Sequence, residues 1–302
     1  MPDTMDAEQQ KWESYYAQLG AEDVLRDGAE VYDEIARAMA VLVPPGGRVL
    51  EAACGSGRHS VELARHVDCQ LQLLDFSPAA IACAQRVFAH RGVQAQFTVG
   101  DAFAPAQDNN FDLVFNSGVL EHYEQARQVD FLRAMAARSS RYVLVLVPNR
   151  LCHWYWIWRT QSAAAGRWPF GLEKAAGNYR HQIGLAGLHF LGQAYFGAAA
   201  VPHFMANVSG LSDDLRQTIL ALHERQVFPP SQRSYLVAFL ASKRADDVAP
   251  PAFAAQPAAD ETADWTDRCV AMAADALAAQ IGLRADVERL RQENAELRRQ
   301  LG

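Results

Sequence analysis

The sequence predicts an α/β protein built on an open, mostly parallel sheet with helices on both faces. Short apolar runs suited to buried strands alternate with helical patterns from about residue 48 to residue 147. A glycine turn, Gly55 and Gly57, joins the first of these runs to the first helical pattern. The first four runs also end in polar or glycine residues, at the edge where open α/β sheets bind ligands.

In order along the chain, residues 8–20 and 23–42 read as helices ahead of the first strand, the second carrying Val31, Ile35, Ala38 and Leu42 at helical spacing. Pro44-Pro45-Gly46-Gly47 ends that region. Val49 and Leu50 close a buried strand, and Val61, Leu63 and Ala64 begin a helix beyond the glycine turn. Glycine lets the chain turn sharply and lets a ligand lie on bare main chain, while free N–H groups at the next helix start face that ligand. Helix-on-strand packing is the other use of such a glycine. The second strand, 71–75, ends in Asp75 about twenty residues after the loop, where nucleotide-binding folds place the carboxylate that accepts ribose hydroxyls.

Ser77-Pro78 supplies an N-cap and first-turn proline for a helix over 79–90. Strand 96–99 runs into Gly100-Asp101-Ala102-Phe103, and strand 111–115 into Asn116-Ser117-Gly118. A helix over 125–137 precedes a fifth strand, 142–147, apolar on both faces and stopped by Pro148. Four of the six tryptophans then fall between residues 150 and 180, in His153-Trp154-Tyr155-Trp156-Ile157-Trp158-Arg159 and Gly166-Arg167-Trp168-Pro169-Phe170-Gly171. Such a segment either covers a hydrophobic acceptor or a sugar face, or is a lid helix packed on the sheet. On the first reading His153, Trp154, Arg159, Arg167 and Trp168 are candidate acceptor contacts. Helix 178–186, strand 188–196, helix 213–224 and strand 235–240 complete the domain, 1–245.

Residues 246–262, rich in Ala and Pro, read as a linker, and 263–302 as a C-terminal helix. From about 281, Leu283, Leu290 and Leu297 take heptad d positions and Val287, Asn294 and Leu301 take a, with Arg291 and Arg298 at e opposite Asp286 and Glu293 at g. This is a coiled-coil pattern. A homodimer or a partner protein is expected there, with a helix docked on its own domain as the alternative.

The 302 residues suffice for one full core plus an appendage, and the formal charge of −7 argues against nucleic acid as a partner. Five cysteines without a CxxC pair point to a reducing compartment. With an acidic, polar N-terminus and no apolar run long enough to span a bilayer, the expectation is a cytoplasmic protein.

Four motifs occur in order: Glu51-Ala52-Ala53-Cys54-Gly55-Ser56-Gly57; Leu74-Asp75-Phe76-Ser77; Gly100-Asp101-Ala102-Phe103; and the run from Phe111 through Asn116, Ser117 and Gly118 to Glu121-His122. With these the chain, from about Trp12 to Ala241, resembles the class I S-adenosylmethionine-dependent methyltransferases. The resemblance implies a Rossmann-like, seven-stranded sheet with its last strand inserted antiparallel, and S-adenosylmethionine as cofactor. It implies that Glu51, Ala53, Gly55 and Gly57 surround the methionine part, Asp75 with Phe76 holds the ribose, Asp101 meets the adenine amino group, and Ala102 and Phe103 flank the base. Asn116 and Ser117 would sit beside the sulfonium. Ala53 departs from the family, which usually has glycine there; its methyl is tolerable if φ stays negative.

An N-terminal helix folds over the cofactor in related enzymes, so Tyr15 or Tyr16 is expected either to close the pocket or simply to pack. His122 is the candidate general base, with a loop-shaping hydrogen bond as its other reading. Glu121-His122 also resembles the metal-holding segment of quinone-biosynthesis O-methyltransferases, but Gly118 replaces a further acidic ligand. Two ligands are too few, so no metal is expected. The favoured acceptor is a hydroxyl of a sugar or surface-polysaccharide precursor. The alternatives are a small natural-product or quinone O- or N-methyltransferase and, in another class, a cofactor-binding coiled-coil adaptor without catalysis.

Overall fold

Strands covered by helices on both faces must be apolar throughout, and alternate residues must serve opposite layers. In the computed structural model of the chain the central strands follow that rule, with residues 113–116 and 142–148 buried on both faces. The structure describes residues 3–26, 28–106, 109–175 and 178–254, together with Arg289 and Arg291. Its strands are β1 (Gly47–Ala52), β2 (Cys69–Asp75), β3 (Gln96–Val99), β4 (Phe111–Ser117), β5 (Ser139–Pro148), β6 (His189–Phe196) and β7 (Leu236–Ser242). They form a seven-stranded sheet in the order β3-β2-β1-β4-β5-β7-β6. Strands β1 to β5 pair in parallel, and β7 runs antiparallel between β5 and β6. This is the Rossmann-like methyltransferase architecture.

The helices are α1 (Asp3–Ala17), α2 (Ala21–Arg26), α3 (Ala29–Ala40), α4 (Arg58–Leu63), α5 (Pro78–Arg91), α6 (Gln125–Arg138), α7 (His153–Ala164), α8 (Arg180–Leu185), α9 (Val201–Asn207), α10 (Asp213–Glu224) and α11 (Pro230–Arg233). On one face of the sheet Val49, Leu73 and Phe115 pack with Ile35, Val61 and Phe88 of α3, α4 and α5. On the other, Leu50, Leu74 and Val114 pack with Phe131 and Leu132 of α6 and Ile183 of α8. A third cluster, Cys152, Tyr155, Val201, Phe204 and Met205, joins α7 to α9.

The expected helix over 23–42 is broken in two. Gly28 holds φ +66°, a left-handed conformation that ends α2 and starts α3 at a new angle. The expected linker also begins later than residue 246. Asp247 accepts hydrogen bonds from Arg141 at 2.8 and 3.1 Å and from Ser242 Oγ at 2.6 Å, and Phe253 is wholly buried. The Phe253 carbonyl lies 2.1 Å from where a side chain on Gly192 would start, so β6 needs glycine at that point. These contacts hold the segment on the sheet edge, and the compact unit runs to Pro257. Apart from Arg291, which is helical and exposed, the coiled-coil positions lie outside the described residues, as does the C-terminal homodimer.

Ala53 has φ +56° rather than a negative value, beside Gly55 at +52° and Gly57 at +66°. Three residues of the β1–α4 turn are therefore left-handed, and only Ala53 carries a Cβ there. An L-residue in that conformation costs about 1–2 kcal/mol. Gly57 is required twice over, because a Cβ would also lie 2.5 Å from Leu73 Cδ2. Two substitutions in one turn are thus expected to act with opposite sign in urea unfolding. Ala53→Gly raises stability by about 1 kcal/mol, and Gly57→Ala lowers it by about 2 kcal/mol. Equal signs would remove the strain assigned to Ala53.

Candidate active site

The carboxylate of Asp75 is the joint of the site. Its Oδ2 accepts from the Gly55 N–H and its Oδ1 from the Ser77 N–H, both at 2.9 Å, so one side chain at the end of β2 sets the turns that follow β1 and β2. Burial pushes its pKa up against the opposing pull of those N–H groups. Ser77 then caps α5 by accepting from Ala80 N at 3.0 Å. Helix α1 is laid across this edge. Glu13 accepts from Ala79 N at 3.0 Å, and Tyr16 reaches the glycine turn so closely that a Cβ on Gly55 would lie 2.2 Å from its hydroxyl.

A cavity of about 300 Å³ opens under α1 at the C-terminal edge of the sheet. Ala53, Asp75, Phe76, Asp101, Ala102, Phe103 and Ser117 line it, as does His122. Asp101 Oδ1 accepts from Phe103 N at 2.8 Å, buried Arg138 donates to the carbonyls of Ala102 and Ala104, and Arg127 lies 3.5 Å over the Phe103 ring. A wall that combines the Phe103 ring, apolar Ala53 and Ala102, and the carboxylates of Asp75 and Asp101 has the chemistry to take a nucleoside.

Glu51, Gly55, Gly57 and Asn116 stand off the cavity wall. Glu51 accepts from Ser60 Oγ at 2.5 Å, and burial pushes its pKa up to about 8. Asn116 is fully buried at the end of β4, and neither atom of its amide has a hydrogen-bond partner. An orphaned amide costs stability until a partner reaches it.

A second cavity, of about 500 Å³, adjoins the first. Both are lined by Trp12, Tyr16, Ser117, Gly118 and His122. Tyr15 lines the second cavity as well. His122 Nδ1 lies 3.0 Å from the Leu172 carbonyl, a contact that makes Nδ1 the donor and leaves Nε2 with a lone pair. Burial lowers the His122 pKa, with Lys11 and Arg159 acting in the same sense and the Leu172 carbonyl opposing them.

The aromatic segment divides differently from the expectation. Trp154, Trp156, Trp158 and Trp168 pack around the α7–α9 cluster, with Trp158 stacked on Phe204 at 5.1 Å. His153, Trp154, Arg159, Arg167 and Trp168 line neither cavity. Phe170 and Glu173 of the same segment do line the second one. Arg159 instead donates to the Gly171 carbonyl at 2.8 Å, and its Nε lies 3.8 Å from Glu173 Oε2.

Glu173 also corrects the count of possible metal ligands. It joins Glu121 and His122 so that one ligand atom from each lies within 4.8 Å of the others. No local pattern relates Glu173 to a pair fifty residues earlier. Backbone and side-chain bonds bring them together: Lys174 N donates to the Glu121 carbonyl at 2.9 Å, and Lys174 Nζ pairs with Glu124.

Residues 49–139 match the family described as a methyltransferase domain. The match spans less than half of the chain, and with the sheet order it makes this region similar to the class I S-adenosylmethionine-dependent methyltransferases. Among individual proteins, the chain is 35% identical over 109 residues to ribosomal RNA small subunit methyltransferase C of Alcanivorax borkumensis, covering 34% of this chain and 33% of that one. It is 30% identical over 131 residues to norajmaline N-methyltransferase of Rauvolfia serpentina, covering 40% and 44%. The chain thus spans a third to less than half of these relatives. The crystal structure of geranyl diphosphate C-methyltransferase from Streptomyces coelicolor superposes with a TM-score of 0.54 at 11% identity, covering 80% of this chain and all of that one, which is a likeness of fold. Among the described residues no helix is long and apolar enough to cross a membrane.

Asp75→Asn removes charge where the ribose is expected while keeping one acceptor oxygen for the backbone. It is expected to weaken binding of S-adenosylhomocysteine by about 1–3 kcal/mol in calorimetry, and unchanged affinity would remove the ribose assignment.

Proposed function

We propose that this protein is an S-adenosylmethionine-dependent methyltransferase acting on a small-molecule acceptor. The observation that carries the reading is the junction of the two cavities. The nucleoside-shaped one and the larger one meet at Ser117, Gly118 and His122, beneath Trp12 and Tyr16 of α1. Asp75, Phe76, Asp101, Ala102 and Phe103 hold the nucleoside half, and the second cavity takes the acceptor. When bound, S-adenosylmethionine supplies a methyl group already activated by its sulfonium, so alignment with the acceptor atom provides much of the acceleration.

His122 is the base in this reading. The Leu172 carbonyl fixes its tautomer, and Nε2 takes the acceptor's proton as the new bond forms. Tyr16 and Trp12 cover the junction and exclude water.

The formal charge of −7 favours a small molecule over nucleic acid, although one relative is named for ribosomal RNA. A sugar hydroxyl loses one of its supports, because the tryptophans of the 150–180 segment pack against α9 instead of facing the acceptor.

His122→Ala is expected to lower turnover by roughly a hundredfold or more while cofactor affinity and melting temperature stay near wild type. Because the pKa of His122 is depressed, its base form persists at neutral pH. The acid limb of the wild-type turnover profile should fall below about pH 6.5, the ordinary histidine value, and vanish in the variant. Loss of folding in parallel with activity would mean that His122 shapes the loop instead. Failure of the wild type to bind S-adenosylmethionine or S-adenosylhomocysteine would favour a non-catalytic adaptor.

A further inference from the structure

The second cavity has charged wall residues of one sign. Among the described residues these are Asp23, Glu121 and Glu173, with no Lys or Arg on the wall. Asp23 is exposed at the mouth and pairs with Arg26 at 3.2 Å. The other two are interior. Glu121 is 2% exposed and its Oε2 has no hydrogen-bond partner, while Glu173 Oε2 accepts from the Tyr155 hydroxyl at 2.5 Å.

Every group packed about the pair bears on its charge. Glu121 and Glu173 repel each other, the hydroxyls of Tyr179 and Tyr235 stand near, and Arg159 behind Glu173 and Lys11 from α1 draw Glu173 toward its ionised form. Burial nevertheless pushes both carboxyls up, Glu121 to about 8. Across the cavity His59 is pushed down to about 3 by burial, so it stays neutral. The cavity therefore holds two buried acids and no cation on its own wall.

We propose that the acceptor is an amine, held as its ammonium ion between Glu121 and Glu173 within a wall of aromatic rings. This rests on the methyl-transfer reading and names its substrate class. An ammonium brings the donor that Glu121 Oε2 lacks, in a charge-assisted bond. Trp12, Tyr16, Phe170 and Tyr235 line the same space, with Lys11 already 4.9 Å over the Trp12 ring, and aromatic rings attract a cation. A neutral hydroxyl could also donate to Glu121 Oε2, but without the charge that strengthens the bond. A dication fits less well, because Arg159 and Lys11 already place positive charge beside Glu173.

The chemistry balances with the groups at hand. The ammonium gives one proton to His122 Nε2, and the freed nitrogen lone pair forms the new C–N bond. The methyl carbon–sulfur bond breaks with its electron pair remaining on sulfur, and the proton on His122 passes to solvent. The product leaves as the ammonium ion of a secondary or tertiary amine, carrying the positive charge that the sulfonium lost.

The test uses the full-length protein with two probes of one shape, 2-phenylethylamine and 2-phenylethanol, titrated calorimetrically with and without S-adenosylhomocysteine. The amine is expected to bind about tenfold tighter or better. Glu121→Gln keeps the side-chain shape and should bring the two probes to within about twofold of each other, with S-adenosylhomocysteine affinity unchanged. Glu173→Gln serves in its place if the first variant melts early.

Equal binding of the probes, binding of neither, or a preference that survives both substitutions would overturn the proposal. So would saturation by Zn²⁺, Mn²⁺ or Mg²⁺ alone that expels the amine, which would make the three ligands a metal centre. Loss of S-adenosylhomocysteine binding with the amine preference intact would instead strike the methyl-transfer reading alone.

Discussion

The pair of hydrogen bonds from the Gly55 and Ser77 backbone to the Asp75 carboxylate is the constraint from which the site follows. A charged acceptor strengthens each bond beyond a neutral one. Here a single acceptor couples two adjacent strand-to-helix turns, so neither turn can move without the other. The turn after β1 is thereby held in a shape that needs three left-handed residues, and the strain at Ala53 is retained because the neighbouring strands and Asp75 over-determine it. Helix α1 then seats on the finished edge through Glu13 and Tyr16, and closes the space that both cavities share.

The sheet was legible because its strands obey a rule that composition displays. Buried parallel strands are apolar runs, and 96–99 and helix 213–224 fall at their expected bounds. Strand β5 extends beyond the expected 142–147 at both ends, since Ser139 hydrogen-bonds the chain locally and reads from sequence as loop. What failed were conformations set by tertiary context. Gly28 sits inside a run with helical periodicity, and only its φ reveals the break. Residues 246–254 have the composition of a linker, yet Arg141 and a close approach to Gly192 fasten them.

The active-site residues divide along the same line. Asp75, Asp101, Phe103, Ser117 and His122 lie at strand ends, where chain order alone predicts convergence, and they line the cavities. The acceptor side is assembled across about fifty residues of sequence separation, so no periodicity marks it. Tryptophan density drew attention to residues 154–168, but large apolar rings most often find burial with one another. Within the 150–180 segment, the residues that line the second cavity are the less conspicuous Phe170 and Glu173.

The packed tryptophans still matter to chemistry, through position. Their cluster with Phe204 and Tyr155 makes α7 a rigid wall, and Tyr155 carries the hydroxyl that donates to Glu173. From there the chain returns to the end of β4, where Leu172 binds His122 and Lys174 binds the Glu121 carbonyl. The tautomer of His122 and the placement of Glu121 and Glu173 are therefore set by one short stretch, residues 172–174. Low dielectric gives such a coupled group its force, since a charge arriving there has few other partners and meets the acids without competing water.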